Sequence, residues 1–299
     1  MDNATRLRLE QNIFYAAHQA CEPWDQFQWH TSRGAIDTYV PHASQALAID
    51  VFGTIKMSPS RDEIFDALAQ AVGLPMGGPW TITLEWNAPK DLLGELKETQ
   101  VDVYAESPHA VLVCECKFTE PNGGACSQTN RQQGLAQCNG NYEHQTNPRN
   151  GVSNRCALSG KGIRYWEVIP KVFHLEAEMD YLPCPFAGPT YQWMRNLVVG
   201  YALGQRTGKQ SAVVIVYADS PHLPMAKKVR SPEWRQFAQM VKPDGVTVHV
   251  VSYQDILLLA QEVTRGGEGD RQVWKELAEW VNRKIVSTRN NDPVASTVG

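Results

Sequence analysis

The sequence predicts an α/β fold in which helices flank a mixed central sheet, and three observations predict it. Trp80–Trp86, Thr99–Glu106 and Ala110–Phe118 carry strand patterning in close succession, which makes a three-stranded meander. The amphipathic segment Tyr191–Gly204 precedes the β-branched run Ser211–Tyr217, so a strand–helix–strand crossover returns the chain to the same sheet. Helical periodicity at both ends of the chain supplies covering layers.

A chain of 299 residues, 42% of them hydrophobic, has material for a sizeable core in one elaborated domain. We place that domain at 1–289, with the core at about 44–217, a polar insertion at about 121–161 and a disordered tail at 290–299. The longest apolar runs have strand length, which excludes a membrane-spanning helix. Met1–Glu10 is polar and charged, unlike a secretory leader, so a cytoplasmic location is expected. The formal charge of −4 speaks against a protein that coats nucleic acid through a broad basic surface. Local basic clusters at 149–161, 206–209 and 227–230 suit either one groove or solvated loops.

Taken in order, Asn3–Ala20 spaces Leu7, Leu9, Ile13, Phe14, Ala17 and Ala20 as an amphipathic helix. A Pro-containing aromatic loop follows at Cys21–Trp29. Its Trp24 and Trp29 suit core packing or stacking on bases. His42–Gly53 reads as a helix capped by Ser44 and stopped by Gly53. Ser60–Val72 reads as another, with Ser60 as its cap and Glu63 in the capping-box position. After the meander, Pro121–Lys161 is rich in Asn, Gln, Gly and Cys and lacks hydrophobic periodicity, which calls for a special reason in a compact domain. Cys126, Cys138, Cys156 and Cys184 bracket this region with His144 between them, and four soft ligands suit a structural Zn²⁺ or an iron–sulphur cluster. Reduced buried thiols are the plainer alternative, and Cys114 and Cys116 look like that. The chain returns to the core at Gly160–Phe173. In the helix after Tyr191, Gln192, Arg195 and Asn196 form one polar stripe on an otherwise apolar surface. Helices at about Pro232–Met240 and Gln254–Val263 flank a strand at Val246–Val251, and a last amphipathic helix spans Asp270 to about Val286.

The second and third strands form a hairpin whose turn centres on Pro108 and His109. Counting outward from Ser107 opposite Ala110 sets Asp102 opposite Glu115, on one face, with Lys117 two residues further along that face. Burying two carboxylates and an ammonium costs several kcal/mol per ion (on the order of the effective penalties measured in proteins) unless each is compensated. Mg²⁺ (or Mn²⁺) held by Asp102, Glu115 and the backbone carbonyl of Cys116 supplies that compensation and leaves positions for water and phosphate.

At these residues the sequence resembles the PD-(D/E)XK nuclease superfamily, the restriction-endonuclease-like fold, and within it a group of bacterial restriction enzymes. Asp102 takes the place of the motif's Asp, preceded by Val101 instead of Pro. Glu115-Cys116-Lys117 takes the place of (D/E)-x-K, and Thr119-Glu120 follows. Ser44-Gln-Ala-(x)₄-Val-Phe-Gly53 resembles the first core helix of the same group. The resemblance covers the chain from that helix to about Tyr217. It implies an Mg²⁺-dependent DNA endonuclease, with catalytic Asp102, Glu115 and Lys117, acting on double-stranded DNA and, for a double-strand cut, as a homodimer. It further implies Gln45 as a contact from the first helix, Gln192 as a water- or phosphate-orienting residue and Arg195 as a phosphate contact. The superfamily's additional upstream acid is best matched by Glu85, with Glu95 and Glu98 as alternatives. Some of its nucleases carry an iron–sulphur cluster that uses one upstream Cys, for which Cys21 is the candidate. An exonuclease or repair enzyme, and a silent DNA-binding module on the same fold, are the competing readings.

Overall fold

The expected meander is present and lies in one half of a five-stranded sheet. The computed structural model describes residues 1–32, 34–129 and 136–291. Strands β1 (Thr81–Asn87), β2 (Gln100–Glu106) and β3 (Ala110–Lys117) run antiparallel in that order. Strand β4 (Gln210–Tyr217) then pairs parallel with β3, and β5 (Val246–Ser252) pairs parallel with β4. The hairpin register is the expected one: Glu106 pairs with Val111 and Val103 with Cys114. Every residue of β3 is buried, as its double-sided apolar pattern requires of a central strand.

Two cores sandwich this sheet. Alternation along β3 turns Leu112, Cys114 and Cys116 into one core and Val111 and Val113 into the other, so Glu115 and Lys117 continue the second row. Into the first core pack α1 (Asn3–Asn12), α2 (44–57), α3 (Arg61–Ala71), α7 (Tyr253–Val263) and α8 (Glu268–Ser287). Facing the second are α4 (Tyr165–Val172), α5 (Tyr191–Thr207) and α6 (Pro232–Met240). Helix α2 is continuous through Ser44–Ala48, a π-helical turn at Ile49–Gly53, and Thr54–Met57.

Several local expectations are corrected. The N-terminal helix stops at Asn12, where the Phe14 amide turns to donate to Asp50 Oδ1 at 2.6 Å, and a 3₁₀ helix takes over at Tyr15–Cys21. Leu7 consequently lies on the solvent side, 55% exposed. Ser44 does not cap α2; its hydroxyl is spent on Glu120 and on the Phe118 amide. Gly53 does not end α2 either. A Cβ there would come within 2.9 Å of the Ala17 Cβ, so glycine is needed for close approach of the 3₁₀ helix. Ser60 makes no capping hydrogen bond and reaches Asp270 instead. Trp24 is buried in the first core and Trp29, partly exposed, stacks on it with centroids 5.4 Å apart, so packing accounts for both.

The 206–209 and 227–230 clusters lie at opposite ends of the sheet. Gln210 pairs with Ala110 and Tyr217 with Lys117, seven residues or about 23 Å along the strand, so the first cluster is remote from Lys117. It is also spent on ion pairs, Arg206 with Asp91 and Lys209 with Glu106, while Arg230 holds Asp219. Among the described residues no helix is long and apolar enough to cross a membrane. Of the expected tail, Thr288–Asn291 forms a short 3₁₀ turn and 292–299 lie outside the described residues.

Candidate functional site

The candidate site forms where the hairpin's open end meets the N-terminal turns of α5. Lys117 Nζ lies 2.7 Å from Glu115 Oε1 and donates to Gln192 Oε1 at 3.1 Å. The other oxygen of Glu115 accepts from Asn196 Nδ2, so two residues of the α5 polar stripe grip the two charges of the strand. Period-two alternation on β3 and the i, i+4 spacing on α5 make this meeting possible. Asp102 leaves the ladder, and its Oδ2 accepts from the Cys116 amide at 2.6 Å.

A second set of groups approaches from β1 and the aromatic loop. Ligand atoms of His30, Glu85 and Asp102 all lie within 4.8 Å of one another, and His30 Nε2 is 3.1 Å from Glu85 Oε2. Glu85 is the one non-glycine residue with a left-handed backbone among those described, at φ 51°. Its nominal partner Asp102 is missing from the β1–β2 pairing although its neighbours Leu84 and Trp86 are paired. Such a conformation costs about 1–3 kcal/mol and persists only where surrounding structure enforces it. Here it turns a carboxylate toward Asp102, and Glu85 is 3% exposed.

The electrostatics are those of an acid surplus. Burial, then repulsion from Glu115 and Glu85, raises the Asp102 carboxyl well above its ordinary range, with Lys117 opposing. Burial pushes the same way on Glu115, but Lys117, Arg195 and Asn196 outweigh it and hold that carboxyl down. Lys117 is raised, because Glu115, Asp102 and Glu120 more than cancel its desolvation. Bonding to Glu85, against desolvation, lifts His30 to about 9. Three buried polar atoms of α5, Trp193 Nε1, Arg195 Nε and Asn196 Oδ1, find no hydrogen-bond partner within the chain, and the last two belong to the polar stripe.

The other sequence candidates sort clearly. Gln45 is 2% exposed, not an exposed helix residue: its Oε1 accepts from the His30 amide at 2.8 Å and from Thr38, and its Nε2 donates to Gln28 O at 2.8 Å. It ties the loop that carries His30 to α2. Arg195 lies over the Tyr191 ring, 5.9 Å from its centroid. Glu95 is consumed by Thr99 and Tyr165. Cys21 sits in the first core and donates to Ala17 O, away from the other cysteines of interest. Cys126, Cys138, Cys156 and Cys184 line one cavity on the second-core side.

Sequence reasoning missed His30 and gave Asn196 no individual role. His30 immediately follows the aromatic loop, and nothing in its spacing ties it to a strand residue 55 positions later. The stripe that singled out Gln192 already contained Asn196.

No curated protein and no solved structure matches the chain significantly. A family model does, over residues 4–279, so the match reaches well beyond the motif into both terminal helices. With the five-stranded mixed sheet and the hairpin placing Asp102, Glu115 and Lys117 together, the chain belongs to the family described as restriction endonuclease associating with ARP.

Proposed function

We propose that the protein is a divalent-metal-dependent DNA endonuclease of restriction type and that the hairpin site performs the cleavage. One observation carries this reading: three carboxylates, the buried Glu85 and Glu115 and the partly buried Asp102, converge where one lysine and one histidine stand against them. A structural ion pair needs no such surplus, whereas a cation site does. The donor set fits Mg²⁺ or Mn²⁺: hard carboxylate oxygens from Asp102 and Glu115, with the Cys116 carbonyl and Glu85 completing the protein side. Bound there, the ion would polarise the scissile phosphate and lower the pKa of an attacking water.

The chain's own groups do the rest. Glu115 and Gln192 fix the Lys117 ammonium, so a charge that stabilises the phosphorane-like transition state is held in place before substrate arrives. Arg195 Nε and Asn196 Oδ1 offer a donor and an acceptor toward the same end of α5. His30, protonated beside Glu85, balances the acids in the metal-free protein, and a cation binding to Glu85 takes over that role. A cut of both strands would need two such sites, which a symmetric homodimer provides.

The test is cleavage of circular double-stranded plasmids with Mg²⁺, with EDTA, and with Lys117→Ala. The expected result is discrete linear product from the native chain only, and a loss of roughly 10²–10³-fold in Lys117→Ala, the usual cost of removing one preorganised charge donor. Equal cleavage by Lys117→Ala would sink the site assignment. Binding of DNA without cleavage of single- or double-stranded substrate would instead favour a silent DNA-binding module.

A further inference from the structure

The second site lies in the polar insertion, and its case is independent of the nuclease reading. Between Phe118 and Tyr165 the described chain contains no strand longer than two residues and no α-helix. It nevertheless folds back on itself around a cavity of about 40 Å³ lined by Cys126, Cys138, Cys156 and Cys184. That volume holds about three water molecules and is far below the roughly 300 Å³ at which organic-ligand pockets begin. Its natural occupant is inorganic.

The backbone around the four sulphurs makes the same point. The Gly140 amide points at Cys138 Sγ, 3.4 Å away. The Gln128 amide points at Cys126, those of Leu158 and Ser159 at Cys156, and those of Phe186 and Ala187 at Cys184. The amide two residues further along its own loop thus lies beside each of the four, and at Cys138 it makes a hydrogen bond. A neutral thiol is a weak acceptor, so four such turns are poorly spent on thiols and well spent on thiolates. The remaining cysteines differ. Cys21, Cys114 and Cys116 lie in the first core, away from the insertion, with Cys21 against the Ala17 carbonyl; of the four, Cys138 also faces a carbonyl, that of Asn141 at 3.6 Å.

The four thiols share one cavity. Metal ligation is what deprotonates such a set outright.

The spacing distinguishes between metals. In a tetrahedral zinc site the sulphurs sit about 3.8 Å apart, given Zn–S bonds of about 2.3 Å. Among the described residues, His30, Glu85 and Asp102 are the group of three whose ligand atoms all come within 4.8 Å, so no three of these sulphurs are that close. Four thiolates spread around a small cavity match a cluster in which each sulphur binds a different iron. We propose that Cys126, Cys138, Cys156 and Cys184 ligate a structural [4Fe–4S] cluster. It ties together loops that have almost no regular secondary structure of their own. It also fixes the start of α5, since the Gly124 and Gly123 carbonyls beside Cys126 accept from the Tyr191 and Gln192 amides.

The test is elemental and spectroscopic. The full chain is isolated without oxygen, reconstituted with ferrous iron and sulphide, and analysed for iron, acid-labile sulphide and zinc. The expected result is about four iron and four sulphide per chain. A broad visible absorption that dithionite bleaches should accompany them. Cys156→Ser and Cys184→Ser should lose it, and Cys21→Ser should keep it. A misfolded loss variant is uninformative, so the parent chain decides the matter alone. Stoichiometric zinc without iron would overturn the cluster, and folded parent protein that takes up neither metal would overturn the site.

Discussion

Two clusters of buried charge, one in each core, follow opposite rules. In the first, Asp50 at the π-turn of α2 is fully buried and accepts from the Phe14 amide at 2.6 Å, Trp280 Nε1 at 3.0 Å and Lys284 Nζ at 2.6 Å. One anion meets one cation, and every oxygen has its donors. In the second, Glu85, Asp102 and Glu115 outnumber Lys117 and His30, one backbone is strained, and three polar atoms of α5 lack partners. The first cluster is complete as a piece of architecture. The second is left unbalanced by the chain alone, and that contrast is what the proposed cation site rests on.

The largest effect expected from this contrast falls on stability at the first cluster. Asp50→Ala leaves Lys284, the Phe14 amide and the Trp280 indole N–H without their acceptor, and breaking a buried pair in this way costs about 3–5 kcal/mol. Replacing both partners, Asp50→Leu with Lys284→Met, should recover most of the loss. Chemical denaturation of the three proteins measures this directly. If the single variant unfolds like the parent, the pair is not structural, and the contrast with the hairpin loses one of its sides.

At the hairpin the sign reverses. Asp102→Asn removes one of three mutually repelling carboxylates, so in EDTA it should melt at or above the parent's temperature. Mg²⁺ should stabilise the parent by about 2.7 kcal/mol when present at a hundred times its dissociation constant. It should leave Asp102→Asn where it was. A thermal melt with and without Mg²⁺ reads both effects. A variant that is destabilised in EDTA and still stabilised by Mg²⁺ would show Asp102 to be architecture, as Asp50 is.

What the sequence made legible follows the range of the interactions involved. The hairpin register, the pairing of Lys117 with Glu115 and the stripe on α5 depend on period-two and period-3.6 spacing within single elements, and those periods are written in the residues. Hidden were arrangements in which two distant segments share one atom. Ser44 spends its hydroxyl on Glu120, so a residue type that favours caps is not one here. Gln45 holds the His30 amide, and His30 reaches Glu85 across 55 residues, a meeting set by the packing of a loop against a sheet edge. The left-handed Glu85 had no local signal either, because a β-alternating stretch rich in Thr and Trp predicts an unbroken strand. The four cysteines stood between these limits. Their residue types suggested a metal, and their convergence needed the fold.

The smallest effect tests that strain most sharply. Asn tolerates the left-handed region better than Glu does, since its short side chain satisfies neighbouring backbone groups. Glu85→Asn therefore relieves part of a penalty of about 1–3 kcal/mol and removes a carboxylate repelled by Asp102. Against this stands the loss of the His30 pair, which is worth at most about 1 kcal/mol because the His30 side chain is 44% exposed. The balance is a gain of about 1 kcal/mol in EDTA. The increment from Mg²⁺ should shrink, since a ligand has gone. A loss of stability in EDTA would instead mean that Glu85 and His30 form a closed pair of the Asp50–Lys284 kind. The acid surplus would then reduce to Asp102 and Glu115 facing Lys117, and the cation site would rest on those two carboxylates alone.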